Sequence, residues 1–319
     1  MNALDTAVLL IIYRRPEATR RVFERIAAAA PRRLFIAADG AATNADREKC
    51  DLARAAVGRI TWECDLARDF SSQNMGLDGR MTSAIAWAFR SVESLIVLED
   101  DCLPHPRFFT FCQSLLNRYQ DDARVMHVSG ECYRRAREGD CSYFFSKYPL
   151  AWGWGTWRRA WAHYDPRLSS WPRFRNQPEA RALFDTQDER AYWLSTFAHV
   201  HEHAGQRGQS SWDYAWYYAC MTNGLSIHPA VNLVSNIGYG PSASHTHGAS
   251  ELAERCVEPL EEDLRHPGWV VRDREADLDT FDRRFPGAVL KRQRSLAHQL
   301  GRPGRWMLRM MQRAAAVAR

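Results

Sequence analysis

The sequence contains no long apolar run. Its longest uninterrupted stretch of strongly apolar residues covers residues 7–13, whereas a helix that spans a bilayer needs roughly 20 such residues. This stretch also lacks the form of a signal peptide, because Asp5 and no basic residue precedes it and Arg14 and Arg15 follow it. We therefore expect a soluble, cytoplasmic protein.

The cysteine spacings of metal sites are absent as well. None of the eight cysteines belongs to a C-x-x-C pair, and most of them lie within apolar or helical patterns. This argues against a structural zinc site and against a disulfide framework, and it predicts reduced, packed thiols.

Lysine is scarce, with three residues among the 43 basic ones, but this bias runs through the whole chain and excludes no function. The charge is unevenly placed: residues 291–319 hold eight bases and no acid, whereas residues 1–290 hold 35 bases and 38 acids. The positive excess is therefore confined to the tail, and the usual nucleic-acid-binding motifs are missing. We expect no nucleic-acid partner.

The first hundred residues alternate short apolar runs with longer amphipathic ones, a rhythm typical of βαβ units around a largely parallel sheet. We predict strands at residues 6–13, 34–38, 61–66, 95–98 and 125–128, and helices at residues 16–30, 46–57, 79–92 and 104–119. No repeat or low-complexity linker divides the chain. The sequence therefore predicts an α/β protein with one composite domain, whose halves cover residues 1–130 and 131–250, followed by a helical extension with a basic tail over residues 251–319.

Three consecutive acids, Glu99, Asp100 and Asp101, directly follow the predicted strand at residues 95–98. We call them the acid triplet. Placing three carboxylates together is costly, because like charges repel and desolvation disfavours the ionised form. A bound cation would remove that cost. Alternation along a strand would place Glu99 and Asp101 on one side and Asp100 on the other.

Hard carboxylate oxygens suit Mg²⁺ or Mn²⁺, which proteins usually hold with one or two carboxylates and the phosphates of a substrate. The alternative is that the acids cap the next helix or lie solvated. Their position after a core strand favours a ligand site, because open α/β sheets bind ligands at the carboxyl ends of their strands.

Several segments together resemble GT-A glycosyltransferases. They are LLIIYRRP in the first strand, IAADG in the second, NMG at residues 74–76, LIVLEDDCLPHP around the acid triplet, and the later WGWGTWRRAW, SSWDYAW, VSNIGYG and SHTHG. The resemblance is strongest to bacterial enzymes that carry an EDD version of the DxD motif and are similar to the N-acetylglucosaminyltransferase I group. The resemblance covers residues 5–248, and it implies a GT-A fold with a nucleotide-sugar-binding first half and an aromatic-rich acceptor half.

The resemblance implies a metal-dependent transfer of a sugar from a nucleotide diphosphate sugar, with uridine favoured, to a hydroxyl of a glycan or glycolipid. It implies that Asp101 and His245 bind Mn²⁺ or Mg²⁺ at the donor diphosphate. Glu99 and Asp100 would then contact the ribose, the sugar or metal-bound water, and Asp39 would read the nucleobase.

Three arginines are further candidates for donor binding, because a guanidinium binds phosphate in bidentate fashion. Arg14 and Arg15 follow the first strand, and Arg80 lies in a predicted helix. The alternative for each is an ordinary solvated position at a helix start.

Transfer with inversion needs a base to deprotonate the acceptor hydroxyl, and one carboxylate can serve. Asp213 is our candidate, because aromatic residues flank it and a partly apolar setting raises the pKa of a carboxyl group. The alternative is a helix N-cap, and Asp188 and Glu189 are the fallback bases. Trp154, in the tryptophan-glycine cluster at residues 152–157, is expected to line the donor-sugar or acceptor pocket.

Two other functions remain open. A sugar-phosphate nucleotidyltransferase would normally carry a glycine-rich loop for triphosphate after its first strand, and residues 13–16 contain no glycine. A non-catalytic carbohydrate-binding protein would not explain the acid triplet. The basic tail, residues 291–319, predicts either a helix on an anionic membrane surface or, alternatively, a terminal helix packed on the domain or a frayed end.

Overall fold

The computed structural model describes residues 4–135, 141–206, 212–238 and 255–299. The strands in these ranges are β1 (Ala7–Ile12), β2 (Arg33–Ala38), β3 (Asp65–Phe70), β4 (Ser94–Glu99), β5 (Cys102–Pro104), β6 (Val125–Ser129), β7 (Tyr143–Ser146), β8 (Trp154–Trp157), β9 (Leu225–Pro229) and β10 (Val234–Asn236). The helices are α1 (Pro16–Ala29), α2 (Asn44–Ala56), α3 (Gly76–Ala88), α4 (Arg107–Arg118), α5 (Arg158–Trp161), α6 (Trp171–Phe174), α7 (Pro178–Ala182), α8 (Gln187–His203), α9 (Trp212–Asn223), α10 (Arg274–Arg284) and α11 (Gly287–Gln299).

The main sheet has the strand order β3-β2-β1-β4-β8-β6-β9-β7 in the described part of the chain. Strands β1 to β4 pair in parallel, β8 runs antiparallel to both β4 and β6, and β6 pairs in parallel with β9. Strands β2, β1, β4 and β6 therefore point the same way, and their carboxyl ends share one edge of the sheet. The predicted α/β class, with a mainly parallel central sheet flanked by helices, is confirmed.

The two central strands lie in the core because they are apolar on both faces. Every residue of β1 is buried, as are residues 95–98 of β4. Helix α1 begins at Pro16 and packs Val22, Phe23 and Ile26 into the core, which is the face that the sequence predicts. Proline is well suited to this position, because its fixed φ fits the first turn and its missing N–H has no partner there.

One predicted strand is wrong. The sequence places it at residues 61–66, whereas β3 covers Asp65–Phe70 and pairs from Arg33↔Asp65 to Ala38↔Phe70. This strand lies at the edge of the sheet and carries few apolar residues, so pairing with β2 decides its position and local hydrophobicity does not. Helix α3 also begins earlier than predicted, at Gly76.

Strands from both sides of residue 130 belong to the same sheet, because β8 lies between β4 and β6. Much of the tryptophan-rich sequence forms core: Trp154 and Trp216 pack against the sheet, while Trp171 and Trp193 lie in a second aromatic cluster with α8 and α9. The domain boundaries near residues 130 and 250 stay predictions. All eight cysteines are free thiols.

No helix in the described ranges is both long and apolar enough to cross a membrane. Helix α11 includes the start of the basic tail, and residues 300–319 lie outside the described residues. Membrane contact by the tail therefore stays a prediction.

A buried ionic cluster joins α8 to the sheet. The Lys147 ammonium lies 2.7 Å from the carboxylate of Glu189 and 3.0 Å from that of Asp185. Lys147 is 3% exposed and Glu189 is fully buried. Glu189 also accepts hydrogen bonds from the Tyr148 hydroxyl and the backbone N–H of Asp185. As an enclosed member of this cluster Glu189 cannot reach a substrate, so its fallback role as a base is wrong.

Replacing Lys147 with methionine should lower the free energy of unfolding by about 3 kcal/mol, because it leaves buried carboxylates without their cation. Urea denaturation followed by circular dichroism measures the loss. The exposed Lys49, changed to methionine in the same way, should have an effect near zero. Equal stability of the two variants would show that the cluster contributes nothing.

Candidate functional site

Polar residues gather where β2, β1, β4 and β6 end, at the shared carboxyl edge of the sheet. Asp39 follows β2, Arg15 lies three residues after β1, the acid triplet ends β4, and Glu131 lies two residues after β6. The strand order places them in that sequence along the edge. The fold therefore brings together residues that are up to 116 positions apart in the chain.

Arg15 holds two members of the acid triplet. Its Nη1 lies 2.9 Å from Asp100 Oδ1 and 3.0 Å from Asp101 Oδ2, and the backbone N–H of Tyr13 donates to Asp100 at 2.9 Å. The predicted strand alternation is therefore wrong here, because β4 ends at Glu99 and the next two carboxylates turn towards the same guanidinium.

The acid triplet carries more negative charge than Arg15 can neutralise. Asp100 and Asp101 are buried and Glu99 is half-buried. Burial and the neighbouring Asp101 and Asp100 raise the pKa of Glu99 well above its usual range. Burial also raises the pKa of Asp100 to about 6, against the opposing effect of Arg15. These oxygens form an electrostatic environment that a divalent cation would stabilise.

Asp39 organises a loop. Its carboxylate accepts hydrogen bonds from the backbone N–H groups of Gly40, Met75 and Gly76 at 2.9 to 3.1 Å and from the Asn74 side-chain amide at 3.0 Å. Gly76 has a φ of +75°, a left-handed conformation that glycine adopts without strain. The IAADG and NMG segments are thus one structural unit, and contact between Asp39 and a nucleobase stays a prediction.

Arg14 and Arg80 both have carboxylate partners. Arg14 lies 2.5 Å from Asp46 at the start of α2. Arg80 is 3% exposed and lies 2.7 Å from Asp69 of β3. These pairs give both arginines a structural role at the edge of the sheet. Their contact with a nucleotide or diphosphate stays a prediction.

A two-stranded ribbon places Gly238 against the acid triplet. Strands β5 and β10 pair antiparallel, with Asn236 opposite Cys102, and the backbone N–H of Ile237 donates to the carbonyl of Asp101 at 2.8 Å. A Cβ atom on Gly238 would lie 2.1 Å from Asp101 Oδ2 and 2.8 Å from its Cβ. Only glycine leaves room here, so residues 234–238 of the VSNIGYG segment pack directly over the acid triplet.

Replacing Gly238 with alanine should displace Asp101 and reduce turnover by about 10²-fold, the cost of a misplacement near 1 Å. A suitable control is Gly268→Ala, since a Cβ atom there would meet nothing within 4 Å. Release of nucleotide diphosphate, the product that the sequence leads us to expect, measures the effect in the two variants. Equal turnover would show that the position of Asp101 does not matter.

Asp213 lies in the first turn of α9, within electrostatic range of Glu99. Its Oδ1 accepts the backbone N–H of Tyr214 at 2.9 Å, while the N–H of Trp212 is bound by Asp78 at 3.1 Å. Burial raises the pKa of Asp213, and Arg284 opposes this effect. The carboxylate of Asp213 in turn raises the pKa of Glu99, so the two groups interact. A raised pKa is the direction expected of a base that works near neutral pH.

The prediction for Trp154 is wrong. Its side chain is fully buried and lies stacked against His127 at 5.1 Å between ring centroids, with Trp216 at 5.7 Å. It therefore has no surface for a sugar. Trp152, two residues earlier and half-buried, is the member of the cluster that reaches the sheet edge beside β4.

Sequence reasoning missed Glu131 and Arg284. Glu131 accepts hydrogen bonds from the Trp152 backbone N–H at 2.9 Å and the Tyr133 hydroxyl at 3.0 Å, and burial raises its pKa. Arg284, at the end of α10, stacks over the Trp152 ring at 4.7 Å. The position of Glu131 after β6 is a signal that could have been used, whereas nothing in the local sequence marks Arg284.

His245 lies outside the described residues, so its predicted role at a metal is not addressed. Among the residues that the structure does describe, no three or more His, Cys, Asp or Glu side chains form a ready-made metal site. Mg²⁺ and Mn²⁺ do not require one when a substrate supplies phosphate oxygens.

No family model matches the sequence, and no curated protein does. Solved structures with some likeness include the mannose-1-phosphate geranyltransferase of Thermus thermophilus, with 10% identity and a TM-score of 0.34 over 70% of this chain and 73% of that one. Another is the 4-diphosphocytidyl-2C-methyl-D-erythritolsynthase of Anaerococcus prevotii, with 4% identity and a TM-score of 0.31 over 70% and 89%. Mouse xyloside xylosyltransferase 1, in its apo form, has 11% identity and a TM-score of 0.33 over 68% and 81%. Likeness this low assigns neither family nor function, which must be argued from the chain's own residues.

Proposed function

We propose that this protein is a metal-dependent glycosyltransferase of the GT-A type, which transfers a sugar from a nucleotide diphosphate sugar to a hydroxyl acceptor with inversion. The observation that carries the proposal is the acid triplet at the carboxyl end of the central strand β4, where two buried carboxylates share the single guanidinium of Arg15. Open α/β sheets bind their ligands at this edge. The excess of negative charge favours a cation there.

The residues present fit Mn²⁺ or Mg²⁺, because the donor set consists of hard carboxylate oxygens and the local charge is too negative for Arg15 alone. Asp101 would hold the ion, which neutralises charge on the donor diphosphate when bound. Glu99 and Asp100 would contact the ribose, the sugar or metal-bound water. Asp39 and the loop that it organises would lie on the nucleobase side of this edge, with a uridine nucleotide favoured.

Asp213 would accept the proton of the acceptor hydroxyl. Its place in the first turn of α9, its interaction with Glu99 and its raised pKa support this role. The acceptor would then lie on the β8 and β6 side of the acid triplet, away from Asp39. A glycan or glycolipid hydroxyl is the acceptor class that we propose.

A release assay tests the function. The purified protein is mixed with a panel of nucleotide diphosphate sugars, and free nucleotide diphosphate is measured with Mn²⁺ and with chelator. We expect release from at least one uridine-linked donor, lost with chelator. Pyrophosphate formed from a sugar phosphate and a nucleoside triphosphate would instead identify a nucleotidyltransferase, and no binding of UDP with or without Mn²⁺ would indicate a carbohydrate-binding protein.

A further inference from the structure

Arg284 is an unusual arginine in this fold. Arg15, Arg80, Arg134 and Arg272 each lie within 4.0 Å of a carboxylate. Across residues 4–135, 141–206, 212–238 and 255–299, Arg284 has no such ion pair. Its buried Nε has no hydrogen-bond partner, a feature that it shares with the Nε atoms of Arg15, Arg80 and Arg134. Its two terminal nitrogens donate no hydrogen bond within these ranges, although the carboxylates of Glu131 and Asp213 lie close enough to interact with its charge. None of the N–H donors of this guanidinium therefore has a hydrogen-bond partner within the described ranges.

The side chain is nevertheless fixed. Its guanidinium carbon lies 4.7 Å from the centre of the Trp152 ring and 5.5 Å from that of Phe285. Stacking of this kind orients the planar group through its face, whereas its N–H donors point outward in the plane of the guanidinium. The carboxylate of Glu131 accepts hydrogen bonds from the Trp152 N–H and the Tyr133 hydroxyl, and it interacts with Arg284 only electrostatically, without an ion pair.

A second cation lies beside this group. Arg255 stacks over the Tyr133 ring at 4.0 Å and donates to the carbonyl of Cys132 at 2.5 Å. Glu131 binds both Tyr133 and Trp152, so it links the two aromatic rings that carry these arginines. Two stacked guanidinium groups therefore lie near the carboxyl end of β6.

The position of Arg284 indicates which substrate it would meet. Along the sheet edge the order is Asp39, Arg15, the acid triplet, Trp152 and Glu131. If the nucleotide lies on the Asp39 side, as the proposed function requires, the opposite side beyond the acid triplet belongs to the acceptor. Arg284 also interacts with Asp213, the proposed base, which must touch the acceptor hydroxyl.

We propose that Arg284, stacked on Trp152, binds a carboxylate or phosphate group of the sugar acceptor and so selects anionic acceptors. This inference rests on the proposed function for its assignment to the acceptor. A stacked guanidinium presents N–H donors in a planar fork that matches carboxylate and phosphate oxygens. Charge-assisted hydrogen bonds of this kind favour an anionic sugar over its neutral analogue by at least about tenfold in affinity.

The test compares paired probes on the full-length protein. Ligand-observed NMR titrations measure the affinity for methyl glucuronide against methyl glucoside and for glucose 6-phosphate against glucose, with and without UDP and Mn²⁺. The wild type should prefer the anionic member of at least one pair by about tenfold or more. Arg284→Gln should lose this preference, and Arg284→Lys should retain part of it. Arg283→Gln, one residue away on the exposed side of α10, removes the same charge and should behave as the wild type.

Three results would overturn the inference. One is equal affinity of the wild type for the anionic and neutral members of both pairs, and another is an unchanged preference in Arg284→Gln. A third is a loss of UDP–Mn²⁺ affinity in Arg284→Gln as large as its loss for the anionic sugar, which would assign the guanidinium to the donor. Thermal melting confirms that each variant is folded. Failure of the wild type to bind UDP contradicts the proposed function instead, and the preference measured without nucleotide still tests Arg284.

Discussion

Replacing Asp101 with asparagine should abolish metal-dependent binding of UDP and leave the fold intact. The change keeps the shape of the side chain but removes the charge that would hold the ion. Asp100 still has Arg15 as its partner, and one source of like-charge repulsion is gone. The melting temperature without ligand should therefore stay the same or rise. Calorimetric titration with UDP, with and without Mn²⁺, and thermal unfolding measure the two effects.

The matched control for this variant is Glu93→Gln. Glu93 immediately precedes β4, at the opposite end of the strand from the acid triplet, and its side chain is 79% exposed. It should bind UDP and Mn²⁺ like the wild type. Wild-type binding by Asp101→Asn would refute the metal assignment, and a large loss of stability would show that Asp101 serves the fold.

Replacing Asp213 with asparagine should leave UDP–Mn²⁺ binding intact and reduce turnover by about 10²–10⁴-fold, the usual contribution of a general base. Asparagine keeps the size and polarity of the side chain but cannot accept a proton. Because burial raises the pKa of Asp213, removing its charge should cost little stability at neutral pH. Steady-state kinetics with the donor identified by the release assay, together with urea denaturation, measure both quantities.

Asp78→Asn is the informative control, because Asp78 binds the N–H of Trp212 at the start of the same helix. If the acids near this helix start served only its folding, both variants would lose stability, by about 1 kcal/mol each, and neither would lose turnover selectively. Near-normal turnover in Asp213→Asn would assign Asp213 to the fold and require another base.

The dependence of turnover on pH provides a second test of Asp213. A base must be ionised to act, so turnover should fall as the pH decreases through the pKa of this carboxyl group. Since burial raises that pKa, the fall should occur at a higher pH than for an exposed aspartate, whose pKa is about 3.9. The residual turnover of Asp213→Asn should not show this decrease at low pH.

Local patterns in the sequence were sufficient to predict those elements that are buried along their whole length or on one regular face. Strands β1 and β4 are apolar on both faces, and α1 has a proline at its start and a regular apolar face. Each of these elements can therefore be predicted from its own residues. The acid triplet could be located for the same reason, because it directly follows such a strand. Where the pattern is weak, as in β3, pairing with a neighbouring strand determined the boundaries.

What the sequence alone determined about this protein is therefore its α/β class and the position of an acidic strand end. Only the tertiary structure decided which side chains meet there. The turn after Glu99 directs Asp100 and Asp101 towards Arg15, and the β5–β10 ribbon packs Gly238 over Asp101. The structure also buries Trp154 and leaves Trp152 at the edge. The reason is physical: these contacts join segments distant in the chain, and their energies depend on the distances and burial that the assembled sheet creates.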